Sequence, residues 1–396
     1  MLRHELRTRE LARTMLTVRA MPSTNTQCWR FPVQALYGLA LVVASCNTTG
    51  PGQLDDAGNP LADSVSLVDA DTRPLGAGVV TLAGSSVAGH RDGWRTAAQL
   101  SNPVNVAVGP TGDLFVADFD SSWIRKVTRD GLVTTVLTGP STFKRPFGLL
   151  FAPDGTLYAQ TDMDAQGTVK EGALWTIDLK SGKASLVMDR AGRLRGLVAL
   201  PAPDSRLVGA DYLSHVVMLF DRQTKALTLL AGASGQRGYA DGTGFAARFS
   251  TPYDVVLTSS NELIVADQGN HRLRKITLAG EVSTWAGDGV AGKVDGPRLG
   301  ARFNGPEALA IDAAQNVYVT EAMGRVVRKI TGAGQVTTIA GDGKAGFVDA
   351  SDPLKATFYG LEGLDVTSDG RLLYIADGNQ GNGQGYNRVR RMTVAP

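Results

Sequence analysis

Three observations predict an all-β chain folded as a closed ring of six four-stranded sheets. A short apolar block ending in an acid recurs six times, with its acidic ends at Asp118, Asp162, Asp211, Asp267, Glu321 and Asp377. The intervals between those ends are 44, 49, 56, 54 and 56 residues. The last unit lacks a fourth strand, and a spare one stands at the start of the repeating region, Val79-Val-Thr-Leu-Ala-Gly84. A period near fifty built from short strands is the pattern of a β-propeller.

The chain begins with a segment that is not part of this pattern. Residues 36–46, Leu-Tyr-Gly-Leu-Ala-Leu-Val-Val-Ala-Ser-Cys, form an apolar run ending in small residues, with Arg30 just ahead of it. That is the shape of a secretory signal, and it is short for a transmembrane helix. Val43-Ala-Ser-Cys46 resembles the bacterial lipobox, which implies acylation at Cys46. The alternative is an ordinary cleaved signal with an incidental cysteine. Translation starts at Met1 or at Met21. Residues 47–78, rich in Gly, Pro, Asp, Ser and Thr, read as a flexible tether, and residues 79–396 as the ring. The expected location is the bacterial cell envelope, outside the cytoplasm, with the membrane reached only through a lipid anchor.

Composition narrows the classes. Loss of residues 1–45 would remove six basic and two acidic side chains and turn the net charge from +2 to −2, so no nucleic-acid partner is expected. Cys28 and Cys46 are the only cysteines, so a processed chain has no disulfide or thiol chemistry to offer.

Each unit then has the same parts. An apolar inner strand such as Tyr253–Leu257 is followed by a tight turn such as Pro153-Asp-Gly-Thr156. The acid-ended second strand comes next, as in Leu263–Asp267. A third strand carries an Arg-Lys pair, at 125–126, 274–275 and 328–329, and the fourth ends in Ala-Gly, as in Val282–Gly287. Inner strands pack on both faces and need not alternate. The terminal strand 79–84 is expected to complete blade six beside 388–394, which removes an open edge.

These residues resemble the NHL-repeat family. The resemblance rests on the Pro-x-x-Val/Leu-x-Val inner strand, on the Val-Ala-Asp strand, and on Asp267-Gln-Gly-Asn-His-Arg-Leu-Arg-Lys275. It spans residues 79–396 and is strong in blades one, four, five and six. Blades two and three lack the Asn-His-Arg turn. The resemblance implies a six-bladed propeller that binds a protein or another ligand. A minority of the family, and related propellers, are enzymes.

Topology selects a face. If the inner strand runs from face X to face Y, the long loops between strands two and three, and between blades, all lie on X, where function concentrates. Several of these loops share a signature, Asp241-Gly before Phe249, Asp295-Gly before Phe303 and Gly346-Phe-Val-Asp-Ala before Phe358, which reads as a cap over the blade interfaces. The repeated acids at second-strand ends read as turn stabilisers, and the Arg-Lys pairs as outer, solvated positions. What differs between blades lies at the start of each inner strand: Asn105, Phe147, Arg195, Tyr253 with Asp254, Glu307 and Glu362. These are the candidate ligand-binding residues, since a varied cluster at the axis suits one asymmetric ligand.

Two readings compete. The first is a non-catalytic binding or scaffold module that takes a protein or small polar ligand on face X. The second is a metal-dependent hydrolase or lyase similar to gluconolactonase-like propellers. It would hold a divalent cation such as calcium on Asp254, Glu307 and Glu362, helped by Asn105. No phosphate loop, HExxH or nucleophile elbow is present, and His90, His215 and His271 fall in separate repeats.

Overall fold

The computed structural model describes residues 74–382 and 385–394. Cys46, the signal segment and most of the tether lie outside them.

The described chain forms six antiparallel sheets arranged as blades around a central channel. The inner strands are Pro103–Val108, Pro146–Phe151, Leu194–Ala199, Pro252–Leu257, Pro306–Ile311 and Gly360–Val366. They pack on one another in chain order, and the sixth returns to the first. The ring closes as the sequence predicts. Val79–Ser85 pairs antiparallel with Asn387–Thr393, in register Val79 with Met392 and Ser85 with Asn387. This sheet joins both ends of the folded region, and Val79, Leu82 and Ala83 are fully buried in it.

Blades one, four and five carry a fifth, two-residue strand at the outer edge: Gly93–Trp94, Gly242–Thr243 and Gly296–Pro297. Each belongs to the loop that leaves the preceding blade. Before turning inward, the loop lays its Asp-Gly motif along the next blade. Phe249, Phe303 and Phe358 then plug the seams between blades with no exposed surface.

The Arg-Lys pairs divide. The lysines are partly exposed, but Arg125, Arg274 and Arg328 are fully buried, as is Arg390 in blade six. The expectation of two solvated positions is therefore corrected for the arginine. Each guanidinium reaches across its own blade to the second-strand acid: Asp118, Asp267, Glu321 or Asp377. Its other end meets the Asp of the incoming loop: Asp92, Asp241, Asp295 or Asp349. It also donates to a backbone carbonyl, that of Gln99, Arg248, Arg302 or Thr357. A buried charge is tolerable only when paired and hydrogen-bonded, and this clip supplies both. The acids are also turn stabilisers: Asp118 accepts from the Ser101 amide at 2.6 Å and Asp267 from the Ser250 amide at 2.7 Å.

Blades two and three lack the clip. At the arginine register stand Trp175 and Met218, paired with Ala159 and Gly209. In blade two the acid's place is taken by Thr161, whose Oγ1 accepts from Trp175 Nε1 at 3.1 Å. In blade three Asp211 remains and closes its own turn, accepting from the Leu213 and Ser214 amides. The turn histidine is present in blade three after all. His215, like His271, sits at positive φ, and its Nδ1 accepts an amide at the start of the next blade, that of Thr251 as His271 accepts that of Gly305.

Candidate ligand-binding site at the channel mouth

A β-bulge builds the site. In every blade the pairing of inner and second strands skips at one place: between Pro103 and Asn105, Pro146 and Leu149, Leu194 and Gly196, Pro252 and Val255, Pro306 and Leu309, and Leu361 and Gly363. A bulge leaves a residue unpaired and re-aims its side chain. Here the re-aimed residues are Val104, Phe147, Arg195, Tyr253, Glu307 and Glu362, one per blade, and all six line a cavity of about 340 Å³ at the mouth on face X.

The structure therefore brings Phe147, Arg195, Tyr253, Glu307 and Glu362 together and places two other candidates elsewhere. Asn105 and Asp254 occupy the next position along their strands and line a second cavity of about 220 Å³ deeper in the channel. Their counterparts in other blades are Gly148, Gly196, Ala308 and Gly363, and the smallness of these is used. A Cβ on Gly196 would come within 1.9 Å of Asp254 Oδ1. Asp254 is occupied structurally: its carboxylate accepts from the amides of Val255 and of Leu309, the latter in the next blade. Asp365 does the same between blades six and one, with the amides of Val366 and Val108. The trio Asp254, Glu307 and Glu362 is thus not one ligand set. Among the described residues no three acids, histidines or cysteines converge on a point fit for a metal ion.

The mouth is polarised. On the side of blade three, Arg195 is only 8% exposed. Its guanidinium lies 3.7 Å from the Phe147 ring centroid, with Tyr212 at 5.3 Å and Tyr253 at 5.8 Å. Nη2 donates to Asp162 at 3.2 Å, while Nε and Nη1 have no protein partner. Arg193 also binds Asp162, through Nη2 and Nε. On the side of blades five and six stand two buried carboxyls. Glu307 accepts from Gln268 Nε2 at 2.9 Å. Burial, with repulsion from Glu362, pushes Glu307 up to about 8. Burial likewise raises Glu362 to about 7 against the pull of Arg195. Burial raises the Tyr253 hydroxyl as well, so it stays a neutral donor.

Sequence reasoning missed the contribution of the loops between strands two and three: Phe119, Asp162, Tyr212, Gln268 and Gln380. A signal existed for Asp162. The acid-ended block of blade two runs one residue longer in the sequence, from Leu157 to Asp162, so its strand ends at Thr161 in the clip register and the acid falls just past it, at the mouth.

An NHL-repeat profile matches residues 249–276, which cover the start of blade four through its third strand. The fold and the ring closure define a six-bladed β-propeller, and its fourth blade matches an NHL repeat. The chain is similar to "NHL repeat-containing protein 2" of Gallus gallus, 23% identical over 317 residues, which are 75% of this chain and 40% of that one. It spans less than half the length of such curated relatives. Among solved structures, a protein of unknown function from Bacteroides thetaiotaomicron superposes with a TM-score of 0.63 at 22% identity, covering 80% of this chain and 76% of that one. An auxiliary nutrient binding protein from the same organism gives 0.61 at 16%, covering 79% and 75%. At these identities the likeness carries the fold.

Proposed function

We propose that this propeller is a non-catalytic binding module that takes a small polar ligand in the channel mouth, on the face where the long loops gather. The observation that carries this reading is Arg195: a residue that lines the cavity, with a guanidinium more than nine-tenths buried, stacked on aromatic rings, and two of its three nitrogens without a protein partner. A buried donor left unsatisfied costs about 1–3 kcal/mol, more when charged, so a structural arginine would be expected to have its donors met, as the four clip arginines largely do. The 340 Å³ volume lies at the small end of ligand sites, and the charged and aromatic groups that converge on it suit a small polar ligand. The neighbour described as a nutrient binding protein supports the same reading.

The protein is further proposed to be exported and tethered outside the cytoplasm by an acylated Cys46. Each buried acyl CH₂ contributes about 0.8 kcal/mol of membrane affinity. A Cys46→Ala chain should leave the membrane fraction, and an unchanged membrane-bound share would overturn the anchor.

The binding reading is tested by screening small polar metabolites for thermal stabilisation of the full chain and of Arg195→Met. A ligand at a hundred times its Kd should stabilise the native protein by about 2.7 kcal/mol and leave the variant unmoved. Ligands that stabilise both equally would place binding elsewhere.

A further inference from the structure

We propose that the ligand is a zwitterion of amino-acid size, with its carboxylate on Arg195 and its ammonium between Glu307 and Glu362. This rests on the binding reading above and specifies its chemistry. The geometry of the ring supplies the first argument. Inner strands follow one another around the axis in chain order, so blade three faces blade six across the channel. The re-aimed residue of blade three is Arg195 and that of blade six is Glu362, with Glu307 beside it in blade five. A ligand lying across the mouth meets a cation at one end and carboxyls at the other. Phe147 and Tyr253 flank the path.

The cationic end has capacity left for one kind of group. Aromatic rings cover the guanidinium, and Asp162 takes Nη2. Nε and Nη1 have no protein partner, and the edge of the side chain that lines the cavity suits an anionic oxygen acceptor. Asp162 is already shared with Arg193 and so does not neutralise Arg195 alone.

The acidic end has the opposite need. No Lys or Arg forms an ion pair with Glu307 or Glu362 among the described residues. The groups that act on the two are Tyr253, Gln268, Arg195, Asp120, Asp162 and the Gln380 amide, together with their mutual repulsion. With both raised to near neutrality, the pair keeps a proton that a bound ammonium can replace. A divalent cation would satisfy the acids and leave Arg195 both unpaired and repelled. A sugar acid would satisfy Arg195 and leave the acid pair unused. Only a ligand charged at both ends answers both walls.

The test is calorimetry on the full chain at pH 7. The probes are the free amino acids taken singly, their N-acetyl and amide derivatives, and galacturonate and glucose. At least one free amino acid should bind, and its N-acetyl and amide forms should each bind at least tenfold more weakly. Titration in two buffers of different ionisation heat should show proton release on binding. In Glu362→Gln the gap between the free amino acid and its N-acetyl form should narrow. An N-acetyl form that binds as tightly as its parent would overturn the proposal. So would galacturonate or glucose binding while no amino acid does, although the binding module itself would then stand. No amino acid binding at all also overturns the zwitterion, and the metabolite screen with Arg195→Met decides separately whether the mouth binds anything.

Discussion

Blades one, four, five and six differ from blades two and three in how they use charge. The first four bury an arginine at the centre of the blade and meet it from two sides with acids. Blades two and three fill that place with Trp175 and Met218, and bring Asp162, Arg193 and Arg195 to the mouth, where Glu307 and Glu362 of two regular blades also stand. The regular blades spend ionic interactions on holding themselves together. The irregular blades leave a guanidinium partly unpaired beside a cavity. The proposed site is marked by departure from the repeat at two scales, the irregular blades that supply Arg195 and the varied bulge position that supplies Glu307 and Glu362 in regular ones, because a residue that serves every blade cannot also serve one asymmetric ligand.

The comparison can be broken most severely at the ring closure. Deleting residues 79–84 removes Val79, Leu82 and Ala83 from full burial and opens blade six at its edge. Burying a Val or Leu side chain contributes about 1.5–3 kcal/mol, so a loss of about 5 kcal/mol is expected, seen as a large fall in melting temperature. An unchanged melt would mean that the terminal strand is ornamental.

The clip comes next. Arg274→Met copies blade three into blade four but leaves Asp267 buried without its partner. Breaking a buried pair from one side costs about 3–5 kcal/mol. Chemical denaturation should show that loss, and Arg274→Met with Asp267→Asn should recover part of it. No recovery would mean that the arginine acts through packing on Phe249 rather than through charge.

At the mouth, Glu307→Gln should stabilise the protein in alkali. Burial raises the folded-state value from 4.5 to about 8. The stability tied to this carboxyl is thus fully present below about 4.5 and is lost as pH rises through about 8. At one pKa unit per about 1.4 kcal/mol, the variant should gain about 2 kcal/mol or more at pH 9. It should match the native protein at pH 4. A variant less stable at pH 9 would show that the charge is welcome where it stands.

The smallest effect belongs to the neighbour of a clip arginine. Lys275 pairs with Glu262 at 2.7 Å, but both are about one-third exposed. Such surface pairs contribute about 0–1 kcal/mol, so Lys275→Ala should hardly move the melt. A loss rivalling that of Arg274→Met would erase the distinction between the two halves of the Arg-Lys pair.

Most of the fold was legible because its signals are periodic. The acid-ended strand recurs, the turns recur, and a missing fourth strand at one end with a spare at the other implies closure. The buried arginines were not read correctly, since Ile-Arg-Lys-Val looks like a solvated edge when its partners are unseen. Their trace lay in co-occurrence: an acid seven residues earlier in three blades, and an Asp-Gly loop before each of them. Blade two, where the acid slips to Asp162, lacks both the arginine and that loop. Of the varying inner-strand residues, Phe147, Arg195, Tyr253, Glu307 and Glu362 line the mouth together, while Asn105 and Asp254 stand one position along and line the other cavity. Strand periodicity alone cannot show which side of a bulge a residue falls on, and a one-residue slip turns a side chain to the other face.

The central claim is that Arg195 is held for a ligand and Arg274 for the fold. Thermal and denaturant unfolding of Arg195→Met beside Arg274→Met tests it directly, without any ligand. Asp162 keeps Arg193 when Arg195 is gone, so Arg195→Met is expected to unfold at or above the native temperature, while Arg274→Met falls by about 3–5 kcal/mol. Equal losses in the two variants would make Arg195 one more structural clip and contradict the account.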